Sequence, residues 1–222
     1  MIIVRAPLRI SIAGGGTDLP FFSNIYGGHL LSAAIDKYNY IIIEKREFYN
    51  EIFVRYMNNE IVKNVKDIKH TRVKAALEYL NIDEPIEITS LADVPSGTGL
   101  GSSGTYLVAL LKALHIYKRD DATINQLAEE AAHLEIDILG EPVGKHDQYL
   151  AAYGGLIRLI IDMKGKVDVK PLEISKSTLF ELEHNLLLFY TGVSRKSSEV
   201  LIEQKKKAEN EKSRMNQMIK IS

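Results

Sequence analysis

The stretch Val94-Pro-Ser-Gly-Thr-Gly-Leu-Gly-Ser-Ser-Gly-Thr105 runs without a break into the apolar Tyr106-Leu-Val-Ala-Leu-Leu-Lys-Ala-Leu-His115. Before it stands the alternating Pro85-Ile-Glu-Ile-Thr89, so the order reads strand, glycine loop, helix. Four glycines and three hydroxyl residues fall between Gly97 and Gly104. Backbone N–H groups at a helix start have no intrahelical partner and sit at the positive end of the helix dipole, so a glycine loop that exposes them suits phosphate. The same loop also serves as a tight turn that lets a helix pack closely on its strand.

Gly99-Leu-Gly101-Ser-Ser-Gly104 has the G-x-G-x-x-G spacing of dinucleotide-binding folds, but the context those folds need is missing. A second strand ending in an acidic residue belongs about 20 positions on. Here one helix leads through Lys118-Arg-Asp-Asp121 into another. No Gly-Lys-Ser/Thr follows, which excludes a Walker A loop, and the companion motifs of protein kinases are absent.

Outward from this segment, the first 60 residues read as glycine-punctuated strands at Ile2 to Ala6, Arg9 to Ala13, Leu30 to Ile35, Tyr38 to Lys45 and Ile52 to Tyr56. Between the second and third lies Gly14-Gly-Gly-Thr-Asp18-Leu-Pro20, which allows close backbone approach. Helical spacing predicts helices over Val65 to Leu80 and over Ile124 to Leu139, the second stopped by Gly140. Glu141 to Tyr149 reads as a loop, Leu156 to Ile161 and Asn185 to Tyr190 as strands, and the tail from Glu199, with Lys205-Lys-Lys207, as a solvated helix face. The fold class is α+β, with no internal repeat.

The 222 residues, 45% hydrophobic and 26% charged with a net charge of −1, describe a globular chain and give no ground for a nucleic-acid partner. Zero cysteines exclude disulfides, thiolate metal sites and cysteine nucleophiles. Neither a leader-like start at Met1-Ile-Ile-Val-Arg5 nor an apolar run of about 18 residues is present, so the expected location is cytoplasmic, away from membranes.

Two carboxylates stand in informative places. At 100° per residue Glu135 falls within the apolar stripe of Ile124, Leu127, Ala128, Ala131, Ile138 and Leu139, while Glu129, Glu130, His133 and Asp137 point away. An inward carboxylate requires a cation such as Arg9, a hydrogen-bond donor, a metal or a phosphate site. Asp147 lies in Gly144-Lys-His-Asp-Gln148, where Lys145 would keep it ionised as a general base needs; it also suits a turn or helix cap. His146 reads as a hydrogen-bonded surface residue.

Three segments together, Arg5-Ala-Pro-Leu-Arg9-Ile-Ser-Ile-Ala-Gly-Gly-Gly-Thr-Asp18-Leu-Pro20, Pro95 to Gly104, and Glu135 with Gly144-Lys-His-Asp147-Gln148, resemble the GHMP small-molecule kinases. The opening segment looks most like that of D-glycero-D-manno-heptose 7-phosphate kinases, and Tyr190-Thr-Gly-Val-Ser-Arg195 is similar to their strand-end motif. The resemblance implies an N-terminal domain like ribosomal protein S5 domain 2 over residues 1–175. It implies the start of a ferredoxin-like C-terminal domain over 176–222, ending before the family's third glycine-rich motif, as a fragment or truncated form would.

It also implies the chemistry. The expected reaction transfers the γ-phosphoryl group of ATP to the anomeric hydroxyl of D-glycero-D-manno-heptose 7-phosphate, with Mg²⁺. A kinase for a galactose- or fucose-like sugar and a nucleotide- or sugar-binding module without turnover are the alternatives. By resemblance, Pro95, Gly97, Gly99, Leu100, Gly101, Ser102, Ser103 and Gly104 wrap the ATP phosphates, and Ser103 and Glu135 hold the metal. Asp147 is the base and Arg9 its partner; Gly16, Thr17, Asp18, Lys145 and Arg195 meet the sugar.

Overall fold

The computed structural model describes residues 1–193, 200, 201 and 203. Its centre is β2 (Gly28–Lys45), with β1 (Ile2–Ala13) antiparallel along one edge. The other edge of β2 is shared: residues 39–45 pair with β5 (Ile86–Ala92) and residues 28–33 with β6 (Leu156–Ile161). Beyond β5 lie β3 (Ile52–Arg55), parallel to it, and β4 (Asn59–Val62); β7 (Val167–Pro171) flanks β6.

Two expected strand pairs are thus single long strands. Pro7 has no N–H for the ladder, and there β1 shifts register between Pro7 and Arg9 without ending. Exposed Asp36 and Lys37 look like a turn in sequence, yet β2 continues through them because β1 pairs on both sides.

The helix α3 (Ser102–Lys118) lies on β1 and β2, and α2 (Thr71–Tyr79), α4 (Ile124–His133) and α5 (His146–Tyr153) gather round it. Leu107, Leu110, Leu111 and Leu114 of α3 are fully buried with Ile41, Ile86 and Ile88 of the sheet. Each such side chain contributes about 1.5–3 kcal/mol of hydrophobic stabilisation. Among the described residues no helix is long and apolar enough to cross a membrane.

Several expected boundaries move. The helix expected over 65–80 is a single 3₁₀ turn, Val65–Asp67, then extended backbone, then α2. The Glu60 carboxylate causes the break by accepting from the N–H groups of Lys69 at 2.6 Å and His70 at 3.0 Å. His70 then caps α2, its Nδ1 accepting from Val73 N at 3.3 Å. α4 starts where Thr123 Oγ1 accepts from Gln126 N and ends at His133, after which Leu134–Ile138 form a wider π turn.

Residues 146–149, expected in a loop, open α5, because Tyr149, Leu150 and Ala151 have core to bury. The strand expected at Asn185–Tyr190 does not form: these residues pair with no strand among the described ones, and Leu187, Leu188 and Phe189 are exposed. α1 (Pro20–Tyr26), α6 (Lys176–His184), β4 and β7 are additional to the expected elements. Arg195 and Lys205 to Lys207 lie outside the described residues.

Candidate active site

β1, the glycine turn before α3, α2, the π turn and the start of α5 converge on a cleft of about 1240 Å³. Gly97, Gly99, Gly101, Ser102 and Ser103 line one wall. The residue preceding α3 is Gly101, in the left-handed region at φ 76°, and it has no side chain to cap the helix. Thr123 and Ser175 do cap α4 and α6. The first N–H groups of α3 are therefore offered to the cleft, as an anion site requires.

Arg9 fixes this turn in place. Its backbone N donates to Leu100 O at 3.1 Å and its Nη1 to Gly99 O at 2.6 Å. The same guanidinium reaches Asp147, with Nε at 2.7 Å and Nη2 at 2.6 Å, both on Oδ1. The glycines make the approach possible: a Cβ on Gly104 would stand 2.8 Å from Asp147 Cβ, and one on Gly101 would stand 3.0 Å from Asp147 Cγ. Asp147 therefore sits directly beneath the start of α3.

Asp18 closes the neighbouring side. Its Oδ2 accepts from the backbone N–H of His146 at 3.2 Å, and a Cβ on Gly144 would collide with its carboxylate. Burial, and then the nearby charge of Asp147, push the Asp18 carboxyl above its usual range despite the opposing pull of His146. Burial also lowers the His146 imidazole and keeps it neutral at neutral pH. His146 is buried, against the sequence expectation of a surface residue, and its Nε2 meets the Ser32 hydroxyl.

Across the cleft, Glu135 is 1% exposed. Gln148 Nε2 donates to its Oε2 at 2.7 Å and Arg72 Nη2 to its Oε1 at 3.1 Å, with Glu141 at 3.5 Å from the same nitrogen. The cation on Glu135 is thus Arg72 instead of Arg9, because Arg9 is taken by Asp147. Beside it the buried Gln148 Oε1 and Arg72 Nε have no hydrogen-bond partner. The Glu135 carboxylate and the Ser103 hydroxyl line the same cleft, and oxygen donors of this kind suit a hard divalent cation such as Mg²⁺.

Of the expected phosphate-loop residues, Pro95, Leu100 and Gly104 stand behind the wall and shape it. Pro95 O accepts from Thr98 Oγ1, Leu100 O from Arg9 N, and Gly104 gives room to α5. Gly16, Asp18, Ser103 and Glu135 line the cleft; Thr17 and Lys145 do not. Thr17 is buried, with its hydroxyl donating to Gly14 O at 2.8 Å and accepting from His29 N at 3.2 Å, so it anchors the 14–18 loop. Lys145 Nζ turns to Glu129 at 2.8 Å and Gly165 O at 3.0 Å, and the cation beside Asp147 is Arg9 instead.

His70, Arg72, Tyr106 and Glu141 join the lining, and no motif in the sequence marks them. His70 stacks on Tyr106 with ring centroids 5.2 Å apart. Arg72 on α2 and Glu135 on the π turn are 63 positions apart, so only the fold brings this pair together.

Residues 62–155 match the family model for the GHMP kinases N terminal domain. The chain is 30% identical over 96% of its length to the D-glycero-alpha-D-manno-heptose 7-phosphate kinase of Campylobacter jejuni, of which it covers 66%. It is 26% identical over 94% of its length to the galactokinase of Pyrococcus furiosus, of which it covers 58%. The chain thus spans less than two thirds of the length of these curated relatives. A crystal structure of a D-glycero-D-manno-heptose 1-phosphate kinase from Bacteroides thetaiotaomicron matches with a TM-score of 0.81 at 27% identity, over 99% of this chain and 74% of that one. The mixed α/β fold is that of GHMP kinase structures.

Proposed function

We propose, on the premise that this chain carries the N-terminal domain of the GHMP kinases, that it transfers the γ-phosphoryl group of ATP to the anomeric hydroxyl of D-glycero-D-manno-heptose 7-phosphate. The product is the 1,7-bisphosphate. The observation that carries this reading is the Asp147 carboxylate, held by Arg9 and packed against Gly101 and Gly104 at the uncapped start of α3. A base set beside an anion site is what phosphoryl transfer to a hydroxyl needs from a protein, since positioning and charge stabilisation account for most of the rate.

Both Arg9 nitrogens fall on Oδ1 of Asp147, which leaves Oδ2 to take the proton of the sugar hydroxyl. The anomeric oxygen then bonds to the γ-phosphorus as the bond to the bridging oxygen of ADP breaks. Arg9 pairs with Asp147 and, through Gly99 and Leu100, ties the base to the phosphate turn, so the two keep their spacing. Gly97, Gly99 and Gly101 to Ser103 cradle the phosphates, while Asp18 and Gly16 meet the sugar. Ser103 and Glu135 would hold Mg²⁺, which when bound would neutralise charge on the phosphates.

The units 1–175 and 176–222 belong to this reading; what supports them is that α6, which follows β7, buries none of its residues. A reaction that consumes ATP and a phosphorylated sugar belongs in the cytoplasm.

ADP release measured with heptose 7-phosphate, galactose and fucose tests the proposal. Release confined to, or fastest with, heptose 7-phosphate supports it. Preference for an unphosphorylated hexose assigns another sugar, and analogue binding without release with any sugar makes the chain a binding module.

A further inference from the structure

We propose that His146 is a positioning residue for the base: a neutral imidazole, anchored by Ser32 and protonated on Nδ1, whose N–H faces Oδ1 of Asp147. This rests on the assignment of Asp147 as base in the preceding subsection. His146 is 5% exposed, and its Nε2 meets the hydroxyl of Ser32, which is fully buried on β2. Its Nδ1 stands 3.7 Å from Asp147 Oδ1. Its backbone N–H goes to Asp18 Oδ2. One residue thus touches both acceptor-side carboxylates and the central strand.

The tautomer follows from electrostatics. With the proton on Nε2, the lone pair of Nδ1 would face the carboxylate of Asp147 in a buried setting, which is repulsive. With the proton on Nδ1, a positive N–H edge faces Oδ1 and Nε2 accepts from the Ser32 hydroxyl. The charged groups facing the ring are Asp147, Asp18 and Arg9. The two carboxylates favour an imidazolium, whereas Arg9 and burial oppose it, and burial is the largest influence.

The consequence for Asp147 is directional. Arg9 Nε and Nη2 bond directly to Oδ1, while His146 Nδ1, at 3.7 Å, is beyond hydrogen-bond reach and acts on the same oxygen through the dipole of its N–H. Arg9 holds Oδ1, and the His146 N–H edge biases the carboxylate electrostatically toward the same orientation, with Oδ2 as the oxygen that takes the proton. Without His146, Arg9 alone holds Oδ1 from one side and the carboxylate gains freedom about its Cβ–Cγ bond. Misplacement of a reacting group by about 1 Å costs up to about 10²-fold in rate.

Long-range ¹H–¹⁵N NMR of the labelled full chain tests this, with the His146 ring assigned by its loss in His146→Gln. The expected result is a protonated Nδ1 and an unprotonated Nε2 at neutral pH, with the Nδ1 resonance moved by Asp147→Asn. A proton on Nε2 or a doubly protonated ring would overturn the proposal. In the kinase assay, His146→Asn, whose amide N–H overlays Nδ1, should keep more of kcat than His146→Gln, whose amide overlays Nε2, with the KM for ATP unchanged in both. Equal kcat for wild type and His146→Gln contradicts it as well. Ser32→Ala, which removes one hydroxyl oxygen and leaves the ring intact, should mix the tautomers; an unmixed Nδ1–H spectrum in that variant would remove Ser32 from its anchoring role. The NMR result needs no turnover, so a failure of the kinase assignment and a failure of the tautomer remain separate outcomes.

Discussion

Two arginine–carboxylate pairs face one cleft and differ in what they leave open. Asp147 is 22% exposed and meets Arg9 through Oδ1 alone, whereas Glu135 is 1% exposed and has both oxygens engaged, one by Arg72 and one by Gln148. A group that must gain and lose a proton needs a free oxygen and access to its substrate. A group that acts as a fixed charge is better buried and held on both sides. The same ion pair therefore serves two ends: Arg9 orients a reactive carboxylate, and Arg72 makes a buried one tolerable.

The largest effect that sharpens this contrast is expected from Asp147→Asn. It should lower kcat by a factor on the order of 10² to 10⁴ while leaving the affinity for a non-hydrolysable ATP analogue intact by calorimetry. Near-normal turnover would remove Asp147 from the base role. Next, Arg72→Met leaves the buried Glu135 carboxylate without its cation and should cost about 3 kcal/mol in urea unfolding. Arg9→Met, whose partner reaches water, should cost less; the reverse order would break the comparison.

Glu135→Ala should raise the Mg²⁺ concentration needed for half-maximal rate. An unchanged magnesium titration would reduce Glu135 to the structural partner of Arg72. The smallest effect concerns His70, whose imidazole is held below its ordinary value of 6.5 by burial and by Arg72. In the window from about 6.5 down to the folded value the unfolded chain binds this proton and the folded one does not, so stability falls as pH drops. Protonation also removes the Nδ1 acceptor that caps α2. Thermal unfolding from pH 7.5 to 5.5 should show this fall, and His70→Gln should flatten it.

What the sequence made legible was local. The glycine turn, the helix after it and the inward face of Glu135 all follow from neighbours a few residues apart, and they survive even though the expected helix to Leu139 ends in a π turn. What it hid depended on distant partners. Arg9 and Asp147 are 138 positions apart, so the adjacent Lys145 looked like the stabilising cation until the fold sent it to Glu129. Arg72 and Glu135 are 63 positions apart, so nothing among the neighbours of either marks the pair. Thr17 looked available because a hydroxyl in a glycine loop is available by default; its burial against β2 is a tertiary fact. His146 reads as exposed because a lone histidine beside an aspartate carries no sign of burial; the packing of α5 against the core supplies it.

A structure of the chain with a non-hydrolysable ATP analogue and Mg²⁺ tests the central claim most directly. The account predicts phosphate oxygens on the N–H groups of Ser102 and Ser103, with the terminal phosphate on the side where Asp147 Oδ2 stands. A nucleotide bound elsewhere, or one whose terminal phosphate points away from Asp147, would contradict it.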